Sequence, residues 1–164
     1  PAPTPAGTPD LVAASDSGRS PTDNITNDNT PTFTGSCVVG ETAILLVNGS
    51  EPATRARHLC RSSTYTLTAP TLADGTYTFS VREINGAGQA AASAGLQVTI
   101  DTVAAAPAIT SPANGASITI PPAATVSGNG AEATADIEVR AGTTVLCSGQ
   151  AAASPALNAA FSCL

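Results

Sequence analysis

The sequence predicts an all-β fold of two tandem β-sandwiches, the second incomplete at its C-terminus, and three observations carry the prediction. No stretch keeps apolar residues at helical spacing for long enough to form a helix. Short alternating runs recur at about 8–12 residues, separated by Gly, Pro, Asn and Asp, which is the rhythm of a sandwich or barrel. The chain also repeats itself. Thr32-Phe33-Thr34-Gly35 aligns with Thr125-Val126-Ser127-Gly128, and Glu41 to Val47 with Ala133 to Val139. Leu59-Cys60-Arg61 falls on Leu146-Cys147-Ser148, and Tyr65-Thr66-Leu67 on Phe161-Ser162-Cys163.

In chain order, PAPTPAGTP at the start has the composition of an extended, semi-rigid linker, assigned to residues 1–8. Strands follow near 31–37, 42–48, 56–61, 64–68, 76–84 and 93–101. Pro31 suits the first position of the earliest strand, and Asn48-Gly49 is a tight-turn signal after the second. The first domain is thus 9–103, with its boundary where Ala104-Ala105-Ala106-Pro107 follows Asp101-Thr102. In the second domain, 104–164, strands are expected near 107–111, 117–120, 124–128, 134–140, 143–148 and 159–163. Counterparts of Leu72 to Ile100 are missing from this copy. Either the polypeptide stops short of them or strands of another chain complete the sandwich by strand addition, the segment before Pro9 being one candidate donor.

Composition excludes several functions. Net charge is −6, and all six basic residues are Arg, so a nucleic-acid partner is not expected. No run of about 20 apolar residues offers a membrane span. Arg55, Arg57 and Arg61 around His58 form one small basic patch, expected to be a solvated hairpin face. No nucleophile with a base, no cofactor loop and no paired carboxylates at motif spacing support an enzyme. Five aromatics without Trp give no stacking platform for a sugar.

Four cysteines permit three pairings. Cys60 and Cys147 share a slot in the repeat alignment, whereas Cys37 matches Gly130 and Cys163 matches Leu67. That distribution favours Cys37 with Cys60 and Cys147 with Cys163, and disulfides place the chain in an oxidising compartment. Zinc is disfavoured because close CxxC spacing is absent.

Residues Thr8 to Gly35 gather Asp10, Asp16, Asp23 and Asp28 with further Asn and Ser oxygens on turns that lead into a strand ending Thr30-Pro31-Thr32-Phe33-Thr34-Gly35. Together with Leu72-Ala73-Asp74-Gly75-Thr76-Tyr77-Thr78-Phe79 and Val98-Thr99-Ile100-Asp101-Thr102, this stretch resembles the bacterial immunoglobulin-like repeats of large secreted surface adhesins, including those of RTX type. The resemblance spans roughly Pro9 to Thr102. It implies an immunoglobulin-like sandwich and a structural or adhesive role at the bacterial surface or outside the cell, as a spacer or the subunit of a filament. Its partners would be neighbouring repeats or identical subunits. It also implies calcium, held by Asp16, Asp23, Asp28 and Asp101, although these residue types are equally the ordinary formers of hydrogen-bonded turns. The family's Asp-rich turn before the last strand is Asn85-Gly86-Ala87-Gly88-Gln89 here, so a hydrogen-bonded turn is expected there instead. The alternative function is a carbohydrate- or protein-binding module attached to a secreted enzyme.

Overall fold

A computed structural model describes residues 1–18, 20–54, 56–103, 106–116, 125–131, 135–152 and 159–163. It divides into two compact units, Pro1–Val103 and Ala104–Leu164. The first holds β1 (Asp10–Leu11), β2 (Ile25–Thr26), β3 (Thr32–Ser36), β4 (Thr42–Val47), β5 (Arg57–Leu59), β6 (Thr64–Thr68), β7 (Gly75–Asn85), β8 (Gly88–Gln89) and β9 (Leu96–Ile100). The second holds β10 (Ala108–Ser111), β11 (Val126–Ala131), β12 (Asp136–Ala141), β13 (Thr144–Gln150) and β14 (Ala159–Cys163).

In the first unit a sheet of order β1-β3-β6 faces one of order β2-β9-β7-β4-β5, with β8 folded back on β7. All pairings are antiparallel except β2 with β9. Alternation decides which side chains meet between the sheets. On β6, Tyr65 and Leu67 point in while Thr64, Thr66 and Thr68 face water. Phe33 on β3 meets Phe79 on β7 with ring centroids 4.4 Å apart, and both are fully buried. The run Ala43-Ile44-Leu45-Leu46 on β4 is apolar without alternation because that strand is covered on both faces. The two-residue strands β1, β2 and β8 have no period to read, which is why the sequence does not announce them.

The Pro-rich start packs on this unit instead of standing free as a linker. Ala6 is buried in the core, Gly7 N–H donates to Ser36 O at 3.1 Å, and the Tyr65 hydroxyl donates to Gly7 O at 3.2 Å. Within this chain the segment before Pro9 is therefore hydrogen-bonded to β3 and β6 through Gly7.

In the second unit the sheet β10-β11-β14 repeats β1-β3-β6. The register is the same in both: Phe33 opposes Leu67 and Thr34 opposes Thr66, while Val126 opposes Cys163 and Ser127 opposes Ser162. The hairpins differ. Cys60 lies past the end of β5, its N–H on Glu41 O, whereas Cys147 lies within β13 opposite Val139. The two cysteines thus hold different structural positions despite their alignment, because β12 and β13 close through a tight turn where the first copy has a longer connection. Among the described residues β12 is paired along one edge, by β13, whereas β4 is paired along both, by β5 and β7. The strand expected near 117–120 lies outside the described residues.

Candidate metal centre

Ser15 to Asn29 is folded by its own oxygen atoms. After β1, Ser15 N–H and Asp16 N–H both donate to Val12 O, closing a turn that drives Asp16 inward. Asp16 is nearly fully buried, and its Oδ1 has no hydrogen-bond partner. Asn24 supplies a backbone N–H to the Asp16 carboxylate. It can do so because Asn24 sits in the left-handed region, φ 57°, which Asn tolerates better than most residues. Asp23 ties the opposite side, accepting Ser20 N–H at 3.0 Å and Ile25 N–H at 3.1 Å. Gly18 closes the loop tightly. A Cβ there would come within 2.6 Å of Asp23 Oδ1 and 2.7 Å of Ile25 O.

Asp23 and Asp10 both act on Asp16. Burial, followed by the neighbouring charge and hydrogen bond of Asp23 and the charge of Asp10, pushes the Asp16 carboxyl above its ordinary value, against the lowering effect of Asn24 N–H. A pocket of about 380 Å³ opens beside them, lined by Asp10, Val12, Asp16, Thr22, Asn24 and Thr34. An orphaned buried carboxylate oxygen, a second carboxylate in contact and a third nearby supply the hard oxygen chemistry that calcium takes, but the three carboxylates do not bring their oxygen atoms within 4.8 Å of one another.

Two of the four residues expected as ligands come together, Asp16 and Asp23. Asp28 is engaged elsewhere: it accepts Ser15 Oγ at 2.7 Å, Thr30 N–H at 2.9 Å and Thr30 Oγ1 at 3.0 Å. Burial alone would raise its pKa, but these donors outweigh burial and hold it below the ordinary value. Asp101 accepts Val103 N–H at 3.2 Å beyond the end of β9. Asp10 was not singled out as a ligand from the sequence. Its strand has two residues, and only the pairing of Asp10 with Thr34 brings it to the pocket.

Other expected features take structural roles. Cys37 and Cys60 are joined in a disulfide. Cys147 is also disulfide-bonded, while the side chain of Cys163 lies outside the described residues. Asn85 Oδ1 caps Ala87 N–H in the hydrogen-bonded turn between β7 and β8. Arg57 is paired with Glu51 at 2.8 Å on the hairpin surface, and Arg55 lies outside the described residues. Phe33, Tyr65 and Phe79 are spent in the core, and Tyr77 is half-buried with its hydroxyl on Ala73 O, so among the described residues no aromatic face is presented to a sugar. Among the described residues no helix is long and apolar enough to cross a membrane.

No characterised protein matches the chain by sequence. A family model does match over residues 3–102, covering the whole first sandwich, and its description is that of the bacterial Ig-like domain. Two facing sheets, a Phe-centred core and that match agree, and the chain belongs to the bacterial Ig-like domain family.

Proposed function

We propose that this chain is a non-catalytic structural and adhesive module of an extracellular bacterial surface protein or filament, in which successive sandwiches hold a distal binding region away from the cell. The observation that carries the reading is the internal repeat, in which Phe33 opposite Leu67 and Val126 opposite Cys163 hold the same register in two consecutive units. Repetition of a rigid unit is how an array gains length. The disulfides support an oxidising compartment.

Calcium belongs to the same reading. Asp16 Oδ1, with Asp23 and Asp10, is the proposed ligand set; both Asp23 oxygens retain lone pairs after accepting their backbone N–H bonds. Bound there, the ion would offset the carboxylate repulsion and stiffen the 12–29 loop. Neighbouring repeats or identical subunits are the proposed partners, and a strand laid along the second edge of β12, as β7 lies along β4, is the contact this reading expects.

Small-angle scattering on proteins carrying one, two and four copies of the repeat tests the spacer role. The maximum dimension should grow in proportion to copy number, and a collapsed particle of constant dimension sinks the proposal. Calcium is tested separately by calorimetry. Saturating calcium at about 100 times its Kd should stabilise the first unit by about 2.7 kcal/mol, and Asp16→Asn should remove the heat of binding.

A further inference from the structure

Glu83 occupies a core position. Along β7 the inward-facing residues are Tyr77, Phe79, Val81 and then Glu83, and Glu83 has no exposure to solvent. Its Oε1 accepts Val38 N–H at 2.8 Å, from the turn that follows Cys37. Its side chain also meets that of Glu41, which is buried too and whose Oε1 accepts Asn85 Nδ2 at 2.8 Å. The remaining oxygen of each, Glu41 Oε2 and Glu83 Oε2, is buried without a partner. Two ionised carboxylates can only accept, so neither could satisfy the other and both charges would lie together out of water. One proton placed between them makes one a donor and satisfies both orphans at once.

We infer that Glu41 and Glu83 share a single proton, and that this proton is a latch holding the 37–41 turn and its Cys37–Cys60 disulfide against β7. When the proton leaves, two like charges buried side by side separate, and the side with most freedom is the turn. Its Val38 and Val39 are already exposed, and a carboxylate oxygen of Glu83 lies within 4.8 Å of both disulfide sulfurs, so the movement reaches the crosslink. Asn85 extends the effect to the start of the chain, since its Nδ2 also donates to Pro1 O at 3.3 Å.

Among the described residues no opposite charge acts to lower Glu83. From β6 the buried Tyr65 feels the charge of Glu83, and Asp10 of β1 acts on that same Tyr65. From β5, His58 lies in register with Ala43, the β4 residue opposite Glu83. Arg82, next along β7, points to the opposite face of the sheet by alternation. Burial first, and then the charge and hydrogen bond of Glu41, push Glu83 above its ordinary value despite the N–H of Val38. A carboxyl raised in the folded state holds its proton longer than in the unfolded chain. Its stabilising contribution is therefore complete below the unfolded value of 4.5 and is lost as pH rises through the folded value.

The test uses the full chain with ¹³C-labelled Glu, followed by NMR from acid to alkaline pH, with the exchange of Val38 N–H read alongside. The expected result is a Glu83 δ-carbon that titrates well above its neighbours. Val38 exchange, corrected for intrinsic base catalysis, should quicken on the order of tenfold for each pKa unit of lost protection. Glu83→Gln keeps a donor toward Glu41 and should abolish both pH dependences; should it fail to fold, Glu41→Gln keeps a donor toward Glu83 and serves equally. An ordinary carboxylate titration of Glu83 in the wild-type protein, or Val38 exchange with the same pH profile in wild type and variant, overturns the inference.

Discussion

The hydroxyl of Tyr65 donates to the carbonyl oxygen of Gly7, fifty-eight positions earlier in the chain, across 3.2 Å. This bond fastens a Pro-rich segment of linker-like composition to the face of a sandwich. Gly35, opposite Tyr65 on β3, leaves room for it, since a Cβ at that position would run into the phenol. Tyr65→Phe should therefore cost about 1 kcal/mol, seen as a lower Tm and as faster exchange of Gly7 N–H. An unchanged exchange rate would show that backbone pairing to Ser36 alone holds the segment.

Asp28 sets an acid limit. Its depressed pKa comes from the donors Ser15 and Thr30, which outweigh its burial. A carboxyl depressed in the folded state contributes stability above the unfolded value of 3.8 that is lost as pH falls through the folded value. Asp28→Asn should lower stability by about 1–3 kcal/mol at neutral pH and flatten the loss of Tm below the unfolded value. Because Asp28 lies outside the proposed ligand set, calcium should still raise the variant's Tm.

Gly18 gives the opposite signature. A methyl there collides with Asp23 Oδ1 and Ile25 O, so Gly18→Ala should cost roughly 1–3 kcal/mol and should weaken calcium binding, because Asp23 must move. Calorimetry that finds Gly18→Ala and wild type equal in calcium affinity would remove Asp23 from the site.

The Cys37–Cys60 bridge closes a loop of 23 residues by sequence separation, and its removal by Cys37→Ala with Cys60→Ala should cost about 3 kcal/mol on the chain-entropy estimate. Calcium affinity should be unaffected, since the bridge is not in the 12–29 loop. Chemical denaturation with and without calcium separates the two contributions.

The sequence by itself determined what depends on local periodicity and on repetition. Alternation in Thr64 to Thr68 and in Thr76 to Glu83, and the match of Thr32-Phe33-Thr34-Gly35 to Thr125-Val126-Ser127-Gly128, were enough for an all-β tandem sandwich, because a strand's pleat records its buried face at period two. It also marked Asp16 and Asp23, whose density on turns shows in the chain. Only the tertiary structure could decide which carboxylates meet. Asp10 joins Asp16 through the pairing of β1 with β3, while Asp28 and Asp101, equally plausible in the sequence, are taken by Ser15, Thr30 and Val103. The contact of Glu41 with Glu83 joins the turn before β4 to β7, and the register of β4 on β7 pairs Val47 with Phe79 and Leu45 with Val81. Contacts between residues far apart in the chain are fixed by which strands pair and in what register, and those pairings are selected by burial of the whole core, which no single segment encodes.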